Sequence, residues 1–372
     1  MRIPAAERRI SAKDGFLVVD KIKVAVVDDS LFIRTILSDM LSTDPELEIV
    51  GTAKDGIEAV ELVGRKKIDV VTMDVVMPRS DGLQALEKIM KLQDTPAVLM
   101  LSAADRSSAD TVMKSLELGA FDFVMKPAST SSTDILRLKW EIISKIKAAH
   151  RTGGRRALEA EEVILKMPAM KDLPNPAAKS SGRIIAIGSS TGGPVALRYI
   201  LQSMPAHLPA PIVVAQHMPK AFTESFSERL GKKCKIKVME SKEGEALRDG
   251  CAYIAPGDSH MRIVYENGKL KATVEEGDRI RGGRPSVDIL LSSVAEASGE
   301  HAIGVILTGM GGDGARGIKS IKECGGHTIA QDESTSLVWS MPRAAIRLGV
   351  VDQVLPLEQI PRALLSDIGV RA

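Results

Sequence analysis

A serine between glycines is the first group in this 372-residue chain whose setting suggests chemistry. Gly188-Ser189-Ser190-Thr191-Gly192 fits G-x-S-x-G with Ser190 at its centre. An apolar run precedes it, and a helical pattern opens near Pro194. In that context a sharp turn exposes the hydroxyl, and the helix N-terminus favours developing negative charge. The glycines remove Cβ atoms that would block close approach. A serine needs a neighbouring base, and six histidines are available. His150 lies near a linker, and His207 sits in a proline-bounded loop. His301 and His327 are at strand starts, and His260 precedes a hairpin strand. His217, in IVVAQHMP, directly follows a core strand at the carboxyl edge, which makes it the base that geometry favours. A third group must orient the imidazole. Asp313, Asp258 and Asp332 all follow predicted strands, and pattern alone leaves the three open.

A second constellation lies in the N-terminal half. Asp28 and Asp29 follow one predicted strand, and Asp74 ends another. Three carboxylates converging at the carboxyl edge of a parallel sheet repel unless a hard cation neutralises them, a task that suits Mg²⁺. Ser102 ends a fourth predicted strand, and Lys126 ends a fifth, before Pro127. Mg²⁺, a lysine and a serine can together hold the oxygens of a phosphoryl group on Asp74.

These groups need a scaffold, and the hydrophobic pattern supplies one. From 21 to 147, short apolar runs alternate with helical stripes; one stripe is Leu31, Ile33, Ile36, Leu37 and Met40. Five strands alternating with five helices predict parallel crossovers and a (βα)5 sheet. Residues 148–182 read as a linker with prolines and mixed charge, whose apolar stretch Val163–Met170 is suited to docking. From 183 to 372 a second alternation predicts a doubly wound, mostly parallel α/β domain. Asn267-Gly268 marks a β-hairpin within it. Residues 1–20 are a charged N-terminal extension without the apolar core of a secretory signal.

Composition excludes other classes. Lys+Arg 50 against Asp+Glu 48 is too even for a nucleic-acid binder, and 3% aromatics weakens base stacking. Three distant cysteines without C-x-x-C argue against disulfides or zinc and for a cytoplasmic protein. No apolar run approaches the about 18 residues of a membrane span. Gly309-x-Gly311-x-x-Gly314 matches a dinucleotide fingerprint, but Asp313 would set an anion where pyrophosphate should rest.

Asp28-Asp29, Asp74 in MDVVMPRSDG, Ser102 and Lys126-Pro127 resemble the response-regulator receiver domain across residues 21–140. The resemblance implies that Asp74 accepts phosphate from a histidine kinase. Asp29, Asp74 and the Val76 carbonyl would bind Mg²⁺, with Asp28 acting through water. Ser102 and Phe123 match the family's switch positions. IGSSTGGP, AQHMP, APGDSHM, GGRPSVD, LTGMGGDGARG and AQDESTSLVWSMPRAA together resemble the CheB family of chemotaxis methylesterases across residues 183–366. That resemblance implies hydrolysis of glutamate methyl esters on the cytoplasmic helices of methyl-accepting chemoreceptors, and deamidation of receptor glutamines. Ser190 would be the nucleophile, His217 the base and Asp313 its orienting partner, with Thr191 and Met310 as active-site neighbours. The esterase step would need no cofactor. The order Ser, His, Asp departs from the Ser, Asp, His of ordinary α/β-hydrolases. The resemblance further implies that the unphosphorylated receiver covers the Ser190 cleft. A phosphorylation-dependent adaptor without catalysis and a nucleotide-binding module are the alternative readings.

Overall fold

The computed structural model describes residues 11–13, 16–18, 20–103, 106–126, 131–152, 180–278 and 283–370. The expected docking stretch Val163–Met170 lies outside the described residues. By internal contacts the chain divides into two units: Met1–Ala104 with Ala120–Arg155, and Asp105–Gly119 with Arg156–Ala372.

Strands Ser11–Lys13 (β1) and Phe16–Val18 (β2) pair as a short antiparallel hairpin in the N-terminal extension. Strands Ile22–Val27 (β3), Leu47–Ala53 (β4), Val70–Asp74 (β5), Ala97–Ser102 (β6) and Asp122–Met125 (β7) form one parallel sheet in the order β4-β3-β5-β6-β7. The central strands are buried along their length, as a sheet covered on both faces requires. The crossovers are helices Leu31–Ser42 (α1), Gly56–Arg65 (α2), Gly82–Ile89 (α3), Arg106–Glu117 (α4) and Ser132–Thr152 (α5). Helix α4 groups by contact with the second unit. Local chemistry starts these helices. Ser30 accepts from the Ile33 amide, Asp55 from Ile57 and Glu58, and Asp81 from Gln84, each cap worth about 1 kcal/mol. The strand order reverses direction between β3 and β5, so a crevice opens at their carboxyl ends.

The second unit is built on a seven-stranded parallel sheet. Its strands are Ile184–Ser189 (β8), Ile212–Gln216 (β9), Lys237–Glu240 (β10), Cys251–Ile254 (β12), Ala302–Ile306 (β15), His327–Gln331 (β16) and Gln353–Leu355 (β17). They run in the order β10-β12-β9-β8-β15-β16-β17. Glu245–Ala246 (β11), His260–Glu266 (β13) and Lys269–Glu275 (β14) form a separate antiparallel sheet, with the expected hairpin at Asn267-Gly268. Helices are Gly193–Gln202 (α6), Lys220–Lys233 (α7), Val287–Ser298 (α8), Ala315–Glu323 (α9), Ser340–Arg347 (α10) and Ile360–Asp367 (α11). Five strands of the large sheet follow the sequence pattern; the edge strands β10 and β17 do not. Both are short and only partly buried, so neither carries a continuous apolar run. The switch point here lies between β8 and β15. Among the described residues no helix is long and apolar enough to cross a membrane.

Candidate functional site

Three neighbouring strands of the second sheet deliver the candidate nucleophile, base and acid. Ser190 follows β8, His217 follows β9, and Asp313 lies in the turn between β15 and α9. Strand register sets their spacing: Ser189 pairs with Gln216, and Gly188 pairs with Ile306. The residues one step beyond Ser189 and Gln216 are Ser190 and His217, on strands about 4.8 Å apart. The His217 amide donates to the Ser189 carbonyl at 3.1 Å.

The imidazole and the carboxylate meet directly. His217 Nε2 lies 2.8 Å from Asp313 Oδ2. A carboxylate oxygen accepts, so Nε2 carries the proton and Nδ1 is left as the basic nitrogen. Asp313 is nearly buried and well supplied with donors. Its Oδ1 accepts from Ser286 Oγ and the Asp288 amide, and its Oδ2 accepts also from the Val287 amide. Burial alone would raise its carboxyl; the bond and charge of His217 and these backbone donors outweigh that and hold it below the ordinary aspartate value. Of the other candidate acids, Asp258 accepts weakly from the Lys220 amide at 3.5 Å. Asp332 closes its own turn with Thr335 at 3.0 Å. Among the described residues no hydrogen bond joins Ser190 Oγ to His217. In a free enzyme such bonds are commonly long and tighten on substrate.

The turn that exposes Ser190 is braced by polar groups that sequence reasoning missed. Buried Gln216 sends Nε2 to the carbonyls of both Ser190 and His217, at 3.0 and 3.1 Å, and accepts from Ser189 Oγ at 2.7 Å. Thr308 Oγ1 donates to the Thr191 carbonyl at 3.0 Å, and Thr308 N donates to Gln331 Oε1. A polar side chain in an otherwise apolar core strand is the only sequence signal these residues give. Gly309 passes so close to the turn that a Cβ there would lie 2.9 Å from the Ser190 Cβ and 2.1 Å from the Met341 sulfur. Ser340 pins the next turn from both sides. Its hydroxyl donates to the Gly309 carbonyl at 2.8 Å and accepts from the Gly311 amide at 3.0 Å. Met310 sits between those two anchored residues. Its amide finds no partner among the described residues, whereas the Ser190 amide is taken by the Thr308 carbonyl.

The glycine fingerprint at 309–314 lacks a dinucleotide site's free helix start. Asp288 Oδ1 already accepts from the Arg316 and Gly317 amides at the start of α9, each at 2.9 Å.

In the first unit, Asp28, Asp29 and Asp74 each offer an oxygen, all within 4.8 Å of one another. Lys126 Nζ reaches Asp28 Oδ2 at 2.7 Å and Asp74 Oδ2 at 2.8 Å. Arg34 steadies the Asp28-Asp29 turn by donating to both carbonyls, at 2.7 and 3.0 Å. Burial pushes the Asp74 carboxyl up, and Asp28 and Asp29 add to that, against the pull of Lys126. An all-oxygen set that strains against its own charge suits a hard divalent cation such as Mg²⁺. Ser102 stands one residue beyond the Asp74–Leu101 pairing on β6; its hydroxyl donates to the Ala103 carbonyl at 3.2 Å. Val76 follows Asp74 by two residues and is exposed. Phe123 is buried, with Lys145 Nζ 5.5 Å from its ring centroid.

Known proteins share both halves of this arrangement. A family profile described as CheB methylesterase matches residues 185–364, and one described as response regulator receiver domain matches residues 24–135. A protein-glutamate methylesterase/protein-glutamine glutaminase of Pyrococcus horikoshii is 47% identical over 350 residues, covering 94% of each chain. One from Xanthomonas campestris pv. campestris is 40% identical over 349 residues, covering 93% of this chain and 97% of its own. The crystal structure of the Thermotoga maritima CheB methylesterase catalytic domain is 44% identical, with a TM-score of 0.49, covering 50% of this chain and 98% of its own. Identity at this level, sustained across both units rather than over one motif, shows that the chain belongs to the CheB methylesterase family.

Proposed function

We propose that this protein is a phosphorylation-regulated protein-glutamate methylesterase of chemotaxis. It hydrolyses glutamate γ-methyl esters on the cytoplasmic helices of chemoreceptors and deamidates receptor glutamines. The observation that carries the reading is the His217–Asp313 contact of 2.8 Å at strand ends adjacent to Ser190.

His217 Nδ1 takes the Ser190 proton as Oγ attacks the ester carbonyl carbon. Asp313 holds the ring in the productive tautomer and stabilises the imidazolium. The tetrahedral oxyanion is met by the Met310 amide, which has no partner among the described residues, with Thr191 in the neighbouring turn that carries Ser190. The imidazolium returns its proton to the leaving methoxide, so methanol departs and an acyl-serine remains. Water, deprotonated by His217, then releases the glutamate and restores Ser190. With a glutamine substrate the same proton leaves with the nitrogen, as ammonia. Side-chain and backbone groups suffice for each of these steps, so the esterase reading calls for no cofactor.

In the receiver, Asp74 is the phosphate acceptor and a histidine kinase the donor. Asp29, Asp74 and the Val76 carbonyl would hold Mg²⁺, with Asp28 acting through water. The cation supplies charge neutralisation for the incoming phosphoryl oxygens. Lys126 and Ser102 would hold those oxygens, with Phe123 reporting the change of state. This function places the protein in the cytoplasm, beside the receptor bundle and without insertion into the bilayer.

The test uses membranes carrying chemoreceptors labelled with tritiated methyl esters. The full-length protein should release volatile methanol, and S190A with an unchanged melting profile should release none. Retained release in S190A discards the nucleophile. No release by the unaltered, phosphorylated protein would favour a non-catalytic adaptor.

A further inference from the structure

Helices α8 and α9 each begin with a carboxylate that binds the other helix. The first turn of a helix leaves amide groups without intrahelical partners. At the start of α8, the Val287 and Asp288 amides donate to Asp313, at 2.8 and 2.9 Å, and the cap residue Ser286 adds its hydroxyl at 3.1 Å. Asp313 itself stands just before α9. At the start of α9, the Arg316 and Gly317 amides donate to Asp288 Oδ1, each at 2.9 Å. Asp288 belongs to the first turn of α8 and is buried. The two acids therefore form a crossed clasp: each caps the helix that the other precedes or begins. Each carboxylate also sits at the positive end of a helix dipole.

The clasp has a consequence for the catalytic imidazole. Asp313 is one of its two arms and also the group that touches His217. The position of Asp313 along the sheet edge thus depends on where α9 begins, and Asp288 fixes that start. We infer that Asp288 is a positioning residue for hydrolysis: its side chain locks the start of α9 against α8 and so sets the distance from Asp313 to His217. This rests on the reading of Ser190, His217 and Asp313 given above. Asp288 acts through Asp313 and does not touch the substrate.

The inference separates into measurable parts. D288A removes the acceptor for two amides and keeps the main-chain donor to Asp313. It should lower kcat about tenfold to a hundredfold, the scale of a misplaced catalytic group, and leave KM within about twofold. D288N keeps an oxygen at the Oδ1 position, so it should restore kcat to within about threefold of the unaltered protein. In a D313N background, D288A should cost little further, because the arm it positions is already disabled. All variants are assayed as full-length protein on methyl-labelled receptor membranes, with melting followed in parallel. Should D288A melt below the assay temperature, D288E replaces it. That variant keeps the charge but moves the acceptor by one methylene, and a loss of kcat is again expected. The inference is overturned by a folded D288A or D288E with unaltered kcat, by a loss confined to KM, or by a full additional loss in the D313N background. If the unaltered protein releases no methanol, the functional reading fails instead, and the two failures are distinguishable.

Discussion

Gln216 offers the sharpest test of how the Ser190 turn is held. Its side chain is 2% exposed and makes three hydrogen bonds, one accepted from Ser189 and two donated to the carbonyls of Ser190 and His217. Q216M keeps the length and apolar bulk but removes both the acceptor and the donors. A typical internal hydrogen bond contributes about 1 kcal/mol net, so the three together account for about 3 kcal/mol. The Ser190 carbonyl keeps the Gly193 amide at 2.7 Å, whereas the His217 carbonyl loses its donor, which pushes the cost toward the upper side of that figure. For a unit of this size each 1 kcal/mol moves the midpoint by about 2–4 °C, so the catalytic unit should melt about 6–12 °C lower. Activity should suffer beyond stability, because the same amide ties the nucleophile's backbone to that of the base. Below the new midpoint, kcat should fall about tenfold or more with KM little changed. The measurements are calorimetry of the full-length protein, following the second unit's transition, and methanol release at a temperature where both proteins are folded. A Q216M protein that melts within about 1 °C of the original and keeps its kcat would refute the bracing role.

Three further outcomes are expected. D74N should accept no phosphate from acetyl phosphate, and excess chelator should block labelling of the unaltered protein; labelled D74N on a phosphate-affinity gel would remove Asp74 as acceptor. A chain beginning at Ser180 should release methanol faster than the unphosphorylated full-length protein, and equal or slower release counts against restraint by the receiver. His327 is raised above its ordinary value of 6.5, first by its bond to Asp367 and against partial burial, and this bond ties the start of β16 to α11. A raised folded value means that the stabilisation is complete below about pH 6.5 and is lost as pH rises through the folded value. The melting difference between the unaltered protein and H327Q should therefore be largest near pH 6 and shrink toward pH 9; a difference that grows with pH contradicts the assignment.

The two scaffolds were legible in the sequence because parallel strands covered on both faces are short, largely apolar runs, and β3, β5, β8 and β15 are such runs, broken inside only by Lys23 in β3 and Thr72 in β5. The candidate site residues were legible because they sit where those runs stop. His217 could be separated from five other histidines by that criterion alone. The acid could not: Asp258, Asp313 and Asp332 all follow strands, and only the seven-strand order tells which strand lies next to β8. The braces stayed hidden for a different reason. Gln216, Thr308, Ser286 and Ser340 are ordinary polar residues, and what matters is which backbone group each one faces. Long-range pairing decides that, with a sequence separation of 26 from Gln216 to the Ser190 carbonyl and of 31 from Ser340 to that of Gly309. Strands β10 and β17 were missed because an edge strand half open to water has no need of apolar continuity.

The placement of β15 beside β8 bears on when, during synthesis, the enzyme can first act. Serine and histidine leave the ribosome early, within 27 residues of each other, whereas the acid is encoded 96 residues after the histidine. A nascent chain that has already paired β8 with β9 still lacks the central neighbour that carries Asp313. On the proposed assignment, hydrolytic competence arrives late, when a distant strand joins the sheet next to β8. Truncated or stalled translation products would be expected to carry the nucleophile without the means to use it.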